Sequence, residues 1–215
     1  GLKRMFADRE DVFFYLTLMN ENYAHPEMPM GAEEGIIRGL YRMKRTAKPA
    51  KKHVNLMGSG TILVQAIKAA DMLQEDFGVT ADIWSATSFN ELARDCQDAL
   101  RHNRLNPFAE PRKAYAADLL EGVQGPIIAA TDYMKAYAEQ IRPCVSGRYT
   151  VLGTDGFGRS DSRVNLRRFF EVDANHIAAA AMVDLWRDGS VSDKDLQTAL
   201  DKYEIDGGKP NPRLV

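Results

Sequence analysis

The chain has 215 residues, 45% of them apolar and 27% charged, with a formal net charge of -2. That composition excludes a disordered or fibrous polymer, and the near balance of charge leaves no overall field that would draw in nucleic acid or an anionic membrane. No run approaches the ~18 apolar residues of a membrane span, and the N-terminal GLKRMFADRE lacks the basic-then-apolar build of a secretion signal, so a cytoplasmic location is expected.

The start at Gly1 instead of Met, running almost at once into apolar residues, is what a piece of a longer protein presents. Residues 11–19, DVFFYLTLM, form a nearly continuous aliphatic and aromatic run, expected as a strand buried on both faces. In NENYAHPEMPMG, Pro26 and Pro29 bar a helix. GAEEGIIRGLYRMK then reads as a short helix, opened by Glu33 and Glu34 and closed by basic residues. Around Pro49, Lys44, Arg45, Lys48, Lys51 and Lys52 have almost nothing to bury, so residues 46–52 are expected to be a solvated basic linker and a domain boundary.

From His53 onward strands alternate with helices. VNLM is a strand, GSG a tight turn, and TILVQAIKAADMLQEDF a helix with Ile62, Ala66, Ala69, Ala70, Leu73 and Phe77 on one face. ADIWSAT is the next strand, and Ser88 with Glu91 forms a capping box before the following helix. Pro107 and Pro111 leave residues 105–124 undecided between strand and helix. GPIIAATD and RYTVLGTDG are further strands, separated by a helix with Tyr133, Ala136, Tyr137 and Ile141 inward. The remainder is helical: SRVNLRRFF, then ANHIAAAAMVDLWRDG ending at a left-handed Gly189, then a helix opened by Ser192 and Asp195, and a polar GGKPNPRLV. Such alternation argues for an α/β fold with a mostly parallel sheet, whose ligands and interfaces gather at the carboxyl ends of the strands.

Chemistry is scarce. GSGTIL at 58–63 has Leu63 where a dinucleotide-binding turn has its last glycine, so a plain turn with Ser59 or Thr61 as N-cap is favoured. His25, His53, His102 and His176 lie in no catalytic signature, and His53 and His176 suit capping or surface roles. Cys96 and Cys144 are far apart and outside any CxxC spacing, which supports neither a disulfide framework nor zinc and leaves reduced thiols as the default. The unusual stretch is GTDGFGRSDSR. Gly153, Gly156 and Gly158 permit close backbone approach, while Asp155, Arg159, Asp161 and Arg163 can make charge-assisted hydrogen bonds. Two readings stay open. In one, the loop is ordered by contact with another surface, with Phe157 and Ser160 in the same patch. In the other it is self-contained, its aspartates pairing its arginines and capping the next helix.

LGTDGFGRSDSR followed by LRRFFEVD, with LMNENYAHPEMPMGAEEGIIRGLY, LMGSGTIL, TSFNELARD and NPRLV, resembles the C-terminal part of the homodimeric, bacterial-type pyruvate dehydrogenase components. Those are thiamine-diphosphate enzymes of transketolase-like plan. The resemblance implies a three-layer transketolase C-terminal-domain-like fold, a mostly parallel (mixed) sheet between helices. Residues 1–45 would be the end of the pyrimidine-binding middle domain with its connection, and residues 53–215 the C-terminal domain. The parent enzyme would decarboxylate pyruvate oxidatively with thiamine diphosphate and magnesium, and pass the acetyl group to the lipoyl group of dihydrolipoyl acetyltransferase. The family's diphosphate signature, GDG followed by paired asparagines, is absent; GTDG carries an extra Thr154. No catalytic, cofactor-binding or metal residue is therefore assigned. This part alone is expected to be inactive and to bind no cofactor. Its role would be structural and dimer-forming, with Gly153 to Arg163 as an interdomain or intersubunit contact loop. Docking of the acetyltransferase core and a stand-alone nucleotide-binding protein are the alternatives.

Overall fold

In the computed structural model, residues 1–15, 22–24 and 26–215 are described. Helix α1 (Glu33–Arg38) is shorter than its sequence pattern, because Gly39 takes a left-handed φ of 99° and its N–H returns to the Gly35 carbonyl. The chain then reverses into strand β1 (Tyr41–Lys44), which corrects the helical reading of YRMK. Residues 11–15 are a second correction. They form no strand, and Phe13 and Tyr15 are each 86% exposed, since no described strand offers their backbone a partner. The rest of that expected strand lies outside the described residues.

Strand β2 (His53–Gly58) is buried at every position. Helix α2 (Ile62–Phe77) returns the chain to strand β3 (Thr80–Ser85). Next come helix α3 (Phe89–Leu105), helix α4 (Tyr115–Leu119), which resolves the undecided region as helix and loop, and strand β4 (Ile127–Ala130). Helix α5 (Lys135–Glu139) leads to strand β5 (Tyr149–Leu152), and helices α6 (Arg163–Phe169), α7 (Ala174–Arg187) and α8 (Asp193–Lys202) follow. The strand order is β1-β3-β2-β4-β5, with β1 antiparallel to β3 and the other neighbours parallel. This is the expected mixed sheet.

Alternate side chains of the strands feed two cores. Val54, Leu56, Ile83 and Ile128 meet α2, α7 and α8 through Ile62, Ala66, Leu73, Ile177, Met182 and Ala199. On the opposite face Met57, Trp84, Ile127, Ala129 and Val151 meet α3, α4 and α5 through Phe89, Leu92, Ala116 and Ala138. The fold is therefore three-layered, helices over sheet over helices. Within the second core, the Trp84 indole N–H donates to Asn55 Oδ1 at 3.0 Å, while Asn55 Nδ2 donates to the Gln124 carbonyl at 2.8 Å. A buried amide thereby satisfies a buried indole and a loop at once.

Residues 46–52 connect β1 to β2 and touch β3 through hydrogen bonds from Thr46 N to Asp82 Oδ1 (2.7 Å) and from Ala50 N to Thr80 Oγ1 (3.0 Å). His53, expected in a capping or surface role, is buried where β2 begins; its Nδ1 lies 2.8 Å from Thr80 Oγ1 and its Nε2 3.7 Å from Asp82. Burial pushes its pKa down, an effect that Asp82 opposes and Arg42 reinforces.

Cys96 of α3 and Cys144, just after α5, form a disulfide with Cα atoms 6.0 Å apart, correcting the expectation of free thiols. The two positions are 48 residues apart in sequence, and only the packing of the α5 segment beside α3 brings them together. Around them lie Ala99, Ala114 and Ala117, whose small side chains let the segments approach.

Candidate functional site at the carboxyl ends of the strands

β2 and β4 lie side by side, but their outgoing connections run to opposite sides of the sheet. A crevice opens at such a switch point. Here it is a cavity of about 1170 Å³, lined among others by Ser59, Thr61, Thr87, Asn90, Asp132 and Tyr133. Gly58 makes the geometry possible: a Cβ there would sit 2.5 Å from Leu63 Cα. The close approach of helix to strand thus falls on the first glycine of GSGTIL, with Leu63, at the place of the motif's last glycine, as the residue approached. Thr61 is the N-cap residue of α2 yet its side chain makes no capping bond; its Oγ1 lies 3.5 Å from Arg167 Nη2. Ser59 Oγ donates instead to Thr131 Oγ1 at 2.8 Å.

Burial raises the pKa of Asp132 in this cavity, against the lowering influence of its own backbone hydrogen bond and of Arg167 and Arg163. Tyr133 and Tyr137 stack edge to face at 5.6 Å and are 60% and 40% exposed. Together with exposed Ala136 they face outward, contrary to expectation, while Ala138 and Ile141 of the same segment are buried. α5 is too short for periodicity to fix its inward face.

The glycine-rich ridge runs from the end of β5 to α6. A Cβ on Gly153 would fall 2.8 Å from the Tyr133 carbonyl and 2.9 Å from Lys135 N, so only glycine lets the ridge meet the start of α5. There Thr154 N donates to the Tyr133 carbonyl (2.9 Å), and Asp155 Oδ1 accepts from Lys135 N (3.0 Å). Asp161 Oδ1 accepts from Ser162 N and Asn165 Nδ2, while Ser162 Oγ accepts from Asn165 N at 3.3 Å as the cap of α6. Arg159 lies over the Phe169 ring, 4.6 Å from its centroid. The aspartates thus serve backbone N–H groups at two helix starts. Gly156, Phe157, Gly158, Arg159, Ser160 and Asp161 stay exposed, Phe157 at 93%. Arg163 is half-buried at the first position of α6.

Of the histidines, His176 sits in the first turn of α7, with Nδ1 2.6 Å from Asp173 Oδ1, the acid that caps this helix; His25 lies outside the described residues. No group of three or more His, Cys, Asp or Glu converges among the described residues. Asp132 and Arg167 escaped the sequence reading, although the position of Asp132 just beyond a buried strand was the available signal.

Residues 39–173 match the model of the transketolase-like TK C-terminal domain. The chain belongs to that family. The transketolase-like domain is preceded by a match of residues 1–26 to the middle domain of the pyruvate dehydrogenase E1 component. Over its whole length the chain is 50% identical to the pyruvate dehydrogenase E1 component of Cupriavidus necator and 49% identical to that of Escherichia coli K12; a third relative, from Pseudomonas aeruginosa, is 52% identical over 99% of the chain. In each case the chain spans 24% of the relative. Among solved structures, a transketolase from Pichia stipitis in complex with sedoheptulose 7-phosphate covers 78% of the transketolase-like chain, with a TM-score of 0.53 and 15% identity over 21% of its own length. That likeness speaks for the fold alone.

Proposed function

We propose that this chain is the C-terminal part of a thiamine-diphosphate-dependent pyruvate dehydrogenase component, and that it serves the enzyme as a non-catalytic, dimer-forming domain. Identity near one half along its entire length to pyruvate dehydrogenase E1 components supports the reading. In that enzyme thiamine diphosphate, held with magnesium, would supply the carbanion and electron sink for loss of carbon dioxide from pyruvate. The described residues bring together no carboxylate or histidine cluster suited to such a cation, so no chemical step is assigned to them. The acetyl acceptor would be the lipoyl group of dihydrolipoyl acetyltransferase, and the cytoplasm the location.

Residues 1–26 are assigned to the middle domain, 27–38 to the connection and 39 onward to the C-terminal domain. This moves the boundary upstream of the basic 46–52 segment, because Tyr41–Lys44 pairs within the sheet. The ridge from Gly153 to Arg163 is assigned as an interdomain or intersubunit contact. Supporting that assignment are an exposed Phe157 on a backbone anchored at both ends, and a neighbouring exposed tyrosine pair. Charge reversal of Arg159 and Arg163 in the full-length enzyme should weaken dimerisation, read by analytical ultracentrifugation, or pyruvate turnover. Unaltered behaviour on both counts refutes the ridge assignment.

A further inference from the structure

The ridge is anchored at both ends, but its middle is exposed and rich in glycine, a combination that ordinarily leaves a loop mobile. At Gly156, however, the backbone lies against a different part of the chain. A Cβ there would stand 3.0 Å from Arg213 Cα and 3.2 Å from the Pro212 carbonyl, and the φ of 91° is one that side-chain-bearing residues rarely adopt.

That second segment is itself tied down. Lys209 Nζ donates to the Phe169 carbonyl at 2.6 Å, to the Arg168 carbonyl at 3.1 Å and to Glu171 Oε1 at 3.3 Å, so a single ammonium satisfies the carbonyls at the end of α6. It also lies 5.4 Å from the Phe169 ring centroid, on the ring that Arg159 of the ridge covers. Asn211 turns the chain by accepting from Arg213 N with its side chain and from Leu214 N with its carbonyl. The path therefore closes on itself: ridge into α6, α6 end to Lys209, Lys209 to Pro212 and Arg213, and these back onto Gly156. Between the two segments remains a polar cleft of about 230 Å³, lined by Lys135, Asp155, Glu171 and Lys209 among others.

We infer that residues 209–213 act as a clasp which holds the exposed middle of the ridge in one conformation before any other surface meets it. The clasp deepens the contact-loop reading: a partner that meets a pre-ordered loop does not have to order it on binding. The inference rests on that reading for its purpose, but not for its test.

Phe157 offers a direct probe, since chymotrypsin cleaves after an exposed phenylalanine only when the surrounding backbone can open. Lys209→Met removes the ammonium that fastens the clasp, and Gly156→Ala forces the two backbones apart. Each should raise cleavage after Phe157 about tenfold in the 215-residue chain, because cleavage tracks the population of the open loop, and each should speed hydrogen exchange over residues 154–160. Gly158→Ala is the control: a Cβ there meets nothing within 4 Å, so its cleavage rate should stay at the wild-type value. Thermal melts of the variants establish that the domain itself remains folded. Equal cleavage rates in wild type, Lys209→Met and Gly156→Ala overturn the clasp, as does a Gly158→Ala variant cleaved as fast as Gly156→Ala. Because these readouts concern loop order within one chain, they are separate from the dimerisation test of Arg159 and Arg163.

Discussion

Reduction of the Cys96–Cys144 bond should lower the melting temperature of the domain by about 8–16 °C. The bond closes a loop of 48 residues. In the chain-entropy account a closure of that length restricts the unfolded ensemble by about 4 kcal/mol, and in a domain of this size each 1 kcal/mol moves the midpoint by about 2–4 °C. Packing is little affected by reduction itself, because two thiols in a pocket lined by Ala99, Ala114 and Ala117 still behave as small apolar groups. The assay is differential scanning calorimetry with and without a dithiol reductant, on wild type and on Cys144→Ala. The variant starts lower and should no longer respond to reductant, which separates the bond from any general effect of the reagent. Two free thiols titrating in unfolded, never-reduced protein, or a wild-type midpoint that ignores the reductant, would refute the reasoning.

Replacing Asn55 by Ala strands the Trp84 indole N–H in the core, and should cost about 1–3 kcal/mol in urea unfolding. Asp173→Ala removes the side chain that caps α7 through His176 N, for an expected loss of about 1 kcal/mol in the same measurement. Burial raises the Asp173 carboxyl, but the hydrogen bonds from His176, with the charges of His176 and Arg168, outweigh it and leave the pKa lowered. The Asp173 contribution is therefore complete above the ordinary aspartate range and is lost as the pH falls through the lowered native value. His53 has a lowered native pKa too, so the unfolded chain binds the extra proton first. Its effect is absent above about pH 6.5, and stability falls as the pH drops from there toward the native value. Melting temperatures between pH 5 and 7 should vary less in His53→Gln than in wild type.

Much of the sheet could be read from residues. Short apolar runs with glycine or proline on at least one flank mark β2, β3, β4 and β5, and Ser88 and Ser192 cap the helices they precede, Ser88 accepting from Glu91 N and Ser192 from Asp195 N. Strand β1 was hard to read because YRMK is only four residues long, and its alternation of Tyr41 and Met43 with Arg42 and Lys44 runs straight on from the helical pattern before it. It is held by tertiary partners: Arg42 lies 4.4 Å over the Trp84 ring and 3.5 Å from Asp82. α5 has five residues, too few for periodicity to tell its inner face from its outer one. The disulfide and the contact of Gly156 with Pro212 and Arg213 depend on residues 48 and more than 50 positions apart, and local pattern carries no such information. For the candidate site, glycine spacing pointed to a close approach without naming what is approached. What is approached within the chain is the start of α5 at Gly153 and residues 212–213 at Gly156.

Strand β1 also decides how far the sheet can grow. An outer strand with free amides and carbonyls invites further strands to add on, the first step toward fibrous aggregation. Here the register slips between Arg42 and Lys44, and the strand runs out into exposed basic residues, Lys44 and Arg45, followed by Lys48 and Lys51. The kink and the crowd of like charges make that border a poor template, so the layer stops growing where the chain first enters it.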